Sequence, residues 1–167
     1  MKKLNKVLKL GHPKLYEIST AVEQNEITSL QPVIQDLHDI LMEFRAIYHA
    51  GRAIAAPQIG VMKRLVYLNI DKPVPMFNPV LTNHSEEQYE LWDDCLSFPD
   101  LLVKVKRHKT CTLTFRDENW QEQTWKLNGD LSELLQHECD HLDGILATQR
   151  AVSQVAFKWR TATDRRF

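Results

Sequence analysis

From Leu30 to Tyr48 the apolar positions are Leu30, Val33, Ile34, Leu37, Ile40, Leu41, Phe44, Ile47 and Tyr48. That is the 3.6-residue rhythm of a long amphipathic helix laid on a core, with Thr28 or Ser29 placed to cap its start. Further on the rhythm changes to alternation. Leu65 to Ile70, Met76 to Leu81, Leu101 to Val105, Cys111 to Phe115 and Trp120 to Leu127 read as strands, and Glu90-Leu91-Trp92 leads into Asp93-Asp94-Cys95. Asp117-Glu118-Asn119 is the turn expected to join the last two as a hairpin. A second helix is predicted after Gly129. Asp130 and Glu133 read as N-cap and capping-box partner, Leu131, Leu134, Leu135 and Leu142 as apolar anchors, and Gly144 as the stop. After it, residues 144–147 are expected to return to a sheet edge, and residues 151–159 to form a weakly amphipathic final helix. No repeat, low-complexity stretch or linker divides the chain, so one domain spanning 1–167 is expected.

Composition narrows the class without naming a function. Hydrophobic residues make up 43% and charged residues 26%, as in an ordinary globular protein. A formal net charge of -1 offers no general attraction to DNA or to an anionic membrane. Arg160, Arg165 and Arg166 make the end of the chain basic, which a solvated, frayed terminus accommodates. Met1-Lys2-Lys3 is basic too, but Lys9 interrupts Val7-Leu8 and Leu10, so no signal-peptide core is predicted. The cysteines Cys95, Cys111 and Cys139 have no disulfide-framework spacing and suit a reducing cytoplasm.

The candidate chemistry lies on the second helix, in Gln136-His137-Glu138-Cys139-Asp140-His141-Leu142. Residues i and i+4 share a helix face, so His137 and His141 can hold one metal ion, with Glu138 beside it to move a proton of an activated water. Two surface histidines on an ordinary helix fit the same pattern, so a third ligand is needed. Cys139 is about 200° round the helix from His137 and points away. Cys111 falls within an alternating strand and reads as core. Cys95, at the end of a strand-like run, can project toward the helix; carboxylates remain candidates as well. Gly51 to Gly60 reads either as an extended segment that approaches something closely or as a tight packing loop, and Gln58 is its polar member in need of a partner.

Three segments, in order, resemble the peptide deformylase family: Gly51 to Gln58, Asp93-Asp94-Cys95-Leu96-Ser97, and Gln136 to Leu142. Leu10-Gly11-His12-Pro13 and Val105-Lys106-Arg107 also fall where that family has similar sequence. The resemblance implies an α+β fold, mainly antiparallel strands around the central motif helix with the long N-terminal helix packed outside. It implies removal of the formyl group from N-formylmethionine on nascent chains, with release of formate. Cys95, His137 and His141 would be the metal ligands, water the fourth, and Glu138 the base and then the acid. Gln58 and the Leu96 N–H would meet the developing oxyanion. Gly51, Arg52, Ala53 and Asp94 would border an extended substrate peptide, and Leu91, Leu96, Glu133 and Leu134 the methionine pocket. Iron(II) is the usual metal of the family, with zinc, nickel or cobalt able to take its place. Nascent chains, and transiently the ribosome, are the implied partners.

The chain departs from the family pattern where Ala53 and Asp94 replace glycines and Asp93 replaces a glutamate. The added acid at Asp93, Asp94 and Glu133 predicts weaker binding of acidic peptides or a preference for a basic group. A different N-formyl or N-acyl amine as substrate, and a non-catalytic peptide- or ribosome-binding relative, are the alternative functions.

Overall fold

The structure is a computed structural model that describes residues 3–161 and residue 164. Met1, Lys2, Arg165 and Arg166, read above as parts of basic ends, lie outside the described residues.

The long helix α1 spans Ile27–Tyr48. It starts earlier than the Thr28 or Ser29 cap predicts, because a 3-10 turn over Gln24–Glu26 runs straight into it. Glu26 reaches back to the Glu23 N–H at 2.8 Å and closes a capping box on that turn, while as the N-cap of α1 it makes no side-chain cap. At its far end His49 adopts a left-handed conformation (φ 51°), and its N–H closes on the Arg45 carbonyl.

Eight strands follow among the described residues: β1 (Ala53–Ala55), β2 (Leu65–Asn69), β3 (Pro73–Thr82), β4 (Gln88–Asp94), β5 (Leu101–His108), β6 (Thr110–Arg116), β7 (Glu122–Asn128) and β8 (Phe157–Trp159). They form two antiparallel sheets, β1-β2-β3-β6-β7 and β4-β5-β8. The hairpin of β6 and β7 turns at the expected place, where Asp117 accepts from the Asn119 and Gln121 N–H groups. The second helix α2 covers Asp130–Leu142.

Strand β2 is buried on both faces, and its alternation shows why. Leu65 and Tyr67 pack with Leu37, Ile40, Leu41 and Phe44 of α1, whereas Val66 and Leu68 pack with Leu134, Leu135, Cys139 and Leu142 of α2. The five-stranded sheet is thus held between the two helices, each presenting an apolar stripe to one of its faces. On its other side α2 meets β5 of the smaller sheet. That places α2 at the centre.

The end of the chain differs from expectation. Residues 151–159 form no helix: Ala151 bridges Val105, and β8 pairs along β5. Residues 144–147 make no strand, so the return to the sheet edge comes later than predicted. The alternating Phe157-Lys158-Trp159 has the period of a strand, and pairing with β5 decides the outcome over weak helical amphipathicity. Arg160, expected in a frayed end, is tied down. Its guanidinium donates to the Pro99 carbonyl at 2.7 Å and pairs with Asp94. Gly144 stops α2 at φ 69°, and a Cβ there would meet the Tyr16 backbone at 2.6 Å. No alternative residue fits that close approach without a shift.

Candidate metal centre

Helix α2 aligns Glu133, His137 and His141 at i, i+4 and i+8, so all three face the same side. Strand β4 arrives beside that face and ends at Asp94, one residue before Cys95. Strand β4 therefore runs two residues further than Glu90-Leu91-Trp92 alone suggests. The Cys95 Sγ lies 3.3 Å from His141 Nε2, which lies 3.1 Å from His137 Nε2. The three candidate donor atoms all fall within 4.8 Å of one another, and all three residues are buried. Lone pairs this close repel unless a proton or cation sits among them. One sulfur and two imidazole nitrogens form a donor set suited to a borderline divalent ion. Cys139 is packed in the core with Leu135 and Leu142, and Cys111 with Leu113 and Leu127, as expected.

What surrounds the donors orients them. The His137 Nδ1 is 2.9 Å from an Asp93 carboxylate oxygen, which leaves Nε2 directed at the centre. Asp93 is itself held by Arg107 Nη2 at 3.1 Å, and the same guanidinium reaches Asp140 on α2. Burial opposes the ionised form of Asp93, yet His137 and Arg107 outweigh it and hold the carboxyl down at about 2. Burial likewise opposes a charged His137, and the Asp93 and Cys95 groups overcome it, raising the imidazole well above its usual value. His141 goes the other way, lowered well by burial and by His137 beside it.

Glu138 is 3% exposed, and its Oε2 has no hydrogen-bond partner among the described residues. Burial pushes its carboxyl up to about 7. Gln58 sits on the 3-10 turn Ala56–Ile59 that follows β1. Its Oε1 accepts from the Ala55 N–H at 2.9 Å, so the amide nitrogen must face the centre, 3.4 Å from Cys95 Sγ and 3.3 Å from Ser97 Oγ.

The cleft over this centre is lined by Gly51, Arg52, Ala53, Gln58, Leu91, Asp94, Cys95, Leu96, Glu133, Leu134, His137 and Glu138 together with Trp92 and Asp93. The structure thus brings together every candidate residue named from the sequence, with His141 just beneath. Ala53 has negative φ and packs its methyl among the core residues beside α2, so it is accommodated in an extended strand. Glu133 is not a capping partner. Gly129 is the N-cap and makes no side-chain cap, while Glu133 pairs with Arg52 Nη2 at 2.6 Å. The added acid is compensated throughout: Asp93 by Arg107, Asp94 by Arg160 and Glu133 by Arg52.

Two residues of the centre went unassigned in the sequence. Arg107 follows Val103 and Val105 at an inward position of β5, and an arginine at such a position has to meet acid. That alternation was the available signal. Arg160 offered none, since its partner lies 66 positions away.

The polypeptide deformylase family model matches residues 4–156. This chain belongs to that family. It is 34% identical to a peptide deformylase of Leptospira biflexa over 96% of this chain and 95% of that one. A peptide deformylase of Rhizobium meliloti is 37% identical over 82% of this chain and 79% of its own. Among solved structures, the Plasmodium falciparum peptide deformylase superposes with a TM-score of 0.80 at 30% identity, covering 90% of each chain. The Synechococcus elongatus enzyme gives 0.82 at 26% identity, over 90% of this chain and 80% of that one. The α+β fold with its antiparallel sheets is that of the family, and the chain is a metal-dependent hydrolase that removes the N-formyl group from nascent peptides.

Proposed function

We propose that Cys95, His137 and His141 hold one divalent cation and that Glu138 moves the protons of the deformylation reaction. The supporting observation is the convergence of three buried donors beside a buried carboxylate with an unpartnered oxygen. The donor set fits iron(II), and also zinc(II), nickel(II) or cobalt(II); we assign iron(II) in the cell. When bound, the cation supplies Lewis acidity that lets water attack near neutral pH. Glu138 takes the water proton as the formyl carbon is attacked and delivers it to the leaving amine as the C–N bond breaks. Negative charge then gathers on the formyl oxygen. The Gln58 amide and the Leu96 N–H, both bordering the cleft, meet it.

Strands β1 and β4 are each the outer strand of their sheet, and the cleft lies along both. An extended formyl peptide pairs there with the backbone of residues 51–53 and of Asp94, as an added strand. We read 1–167 as one catalytic domain, since the family match spans most of it. We place it in the cytoplasm, acting on chains as they leave the ribosome; its three cysteines are free and buried, and no helix among the described residues is long and apolar enough to cross a membrane.

The test is formate release from formyl-Met-Ala-Ser by anaerobically prepared, iron(II)-loaded protein, because oxidation at a thiolate-bound iron inactivates the site. Stoichiometric formate and free amine are expected. Metal-loaded protein that releases neither would overturn the assignment.

A further inference from the structure

The cleft contains an ion pair that the proposed chemistry does not use. Arg52, at the start of the β1 segment, and Glu133, on α2 one turn before His137, both line it, with Arg52 Nη2 2.6 Å from Glu133 Oε1. The Glu133 side chain is 4% exposed and that of Arg52 36% exposed. Apart from this bond, the guanidinium makes only a long contact among the described residues, from Nη1 to the Asp130 carbonyl at 3.5 Å. A guanidinium carries N–H donors on all three nitrogens, so several remain for whatever enters the cleft.

The direction of entry follows from the strands. A peptide extended along the edges of β1 and β4 alternates its side chains toward and away from the molecule. Leu91 of β4 and Leu134 of α2 both line this cleft, as does Glu138. The Arg52–Glu133 pair borders the same space. Leu91 and Leu134 give it apolar surface, and the Arg52–Glu133 pair sets charge beside them.

We propose that the Arg52–Glu133 pair determines specificity for the first side chain, favouring one that carries a neutral hydrogen-bond acceptor, methionine sulfoxide in particular, over an all-carbon chain of the same length. The inference rests on the deformylase reading and adds a substrate preference to it. An all-carbon end strips water from the Arg52 donors and returns nothing. A sulfoxide oxygen accepts from them. A cationic end is disfavoured, because Glu133 is already engaged and the ammonium would face Arg52. An anionic end competes with Glu133 for the same guanidinium and repels it. A neutral acceptor avoids both conflicts.

The experiment compares kcat/KM for formyl-X-Ala-Ser peptides with methionine, norleucine and methionine sulfoxide at X. It uses the iron(II)-loaded wild type and the double variant Arg52→Leu/Glu133→Leu, which removes both charges together and leaves neither buried alone. In the wild type the sulfoxide peptide is expected to equal or exceed the norleucine peptide. In the double variant that ratio is expected to fall at least fivefold, since a site built to hydrogen-bond a group discriminates against its absence. A wild-type ratio below one overturns the proposal even if the variant does not fold, and so does a smaller fall in a folded variant. Hydrolysis of methionine and norleucine peptides with the sulfoxide rejected defeats only the specificity. Failure to cleave any of the three defeats the deformylase reading, and the proposal with it.

Discussion

Gln58 has two jobs on one amide. Its oxygen is committed to the Ala55 N–H, and this commitment is what aims the nitrogen at the centre. Gln58→Glu keeps the acceptor and removes the donor. Its kcat on a formyl peptide is expected to fall about 10²–10³-fold, the usual loss of one oxyanion donor. A fall in kcat/KM that lies wholly in KM would instead mark Gln58 as a binding residue. Asp93 acts through His137 by fixing which imidazole nitrogen faces the cation. Asp93→Asn is expected to weaken metal retention about 10–100-fold, measured by competition with a chelator of known affinity. Retention equal to wild type would show that packing alone orients the ring.

At the level of elements, the centre depends on keeping β4, β5 and α2 in one arrangement. Arg107 of β5 joins Asp93 of β4 to Asp140 of α2 in an almost fully buried triad. Arg107→Met keeps the length of the side chain but leaves the buried Asp93 carboxylate without its guanidinium, and Asp140 with Arg150 alone. A loss of about 3–5 kcal/mol is expected from the uncompensated charge, read as a lower urea midpoint. An unchanged midpoint would mean that water or the second arginine, Arg150, compensates Asp140 and Asp93 alike. The same level shows what could be read without a structure. The long α1 stripe, the alternating strands and the His-Glu-x-x-His face of α2 are periodic within one element, and they appear where the pattern puts them. Glu133 fits a capping box because that pattern is local, whereas its actual partner Arg52 comes from another element 81 positions away. The end of the chain also takes its form from a distant partner. Phe157 to Trp159 become a strand only because β5 offers an edge to pair with.

For the whole molecule, α2 is simultaneously the floor of the cleft and the core of the larger sheet, so metal occupancy and folding are linked. A cation that binds only the folded chain adds about 2.7 kcal/mol when its free concentration is 100 times its dissociation constant. Stripping the metal with a chelator is therefore expected to abolish formate release and lower the melting temperature, and iron(II) added without oxygen to restore both. A melting temperature indifferent to chelation would place the cation elsewhere. The topology, with two sheets meeting across α2, was not legible from periodicity: alternation says that a strand has two faces but not which neighbour covers each. The resemblance of Gly51 to Gln58, Asp93 to Ser97 and Gln136 to Leu142 carried the expectation of antiparallel strands around α2, but not their division into two sheets. The compensating arginines that decide the electrostatics of the cleft lay outside all three segments except Arg52.

The most direct measurement is on Glu138→Gln, with metal content and formate release determined on the same iron(II)-loaded, oxygen-free sample. The substitution keeps the shape of the side chain but removes its capacity to take and return a proton. One metal per chain with formate release reduced at least about 100-fold is expected, the scale of a lost general acid–base group. Wild-type turnover in that variant would contradict the role of Glu138 outright, and loss of the metal would show instead that the carboxylate is a ligand.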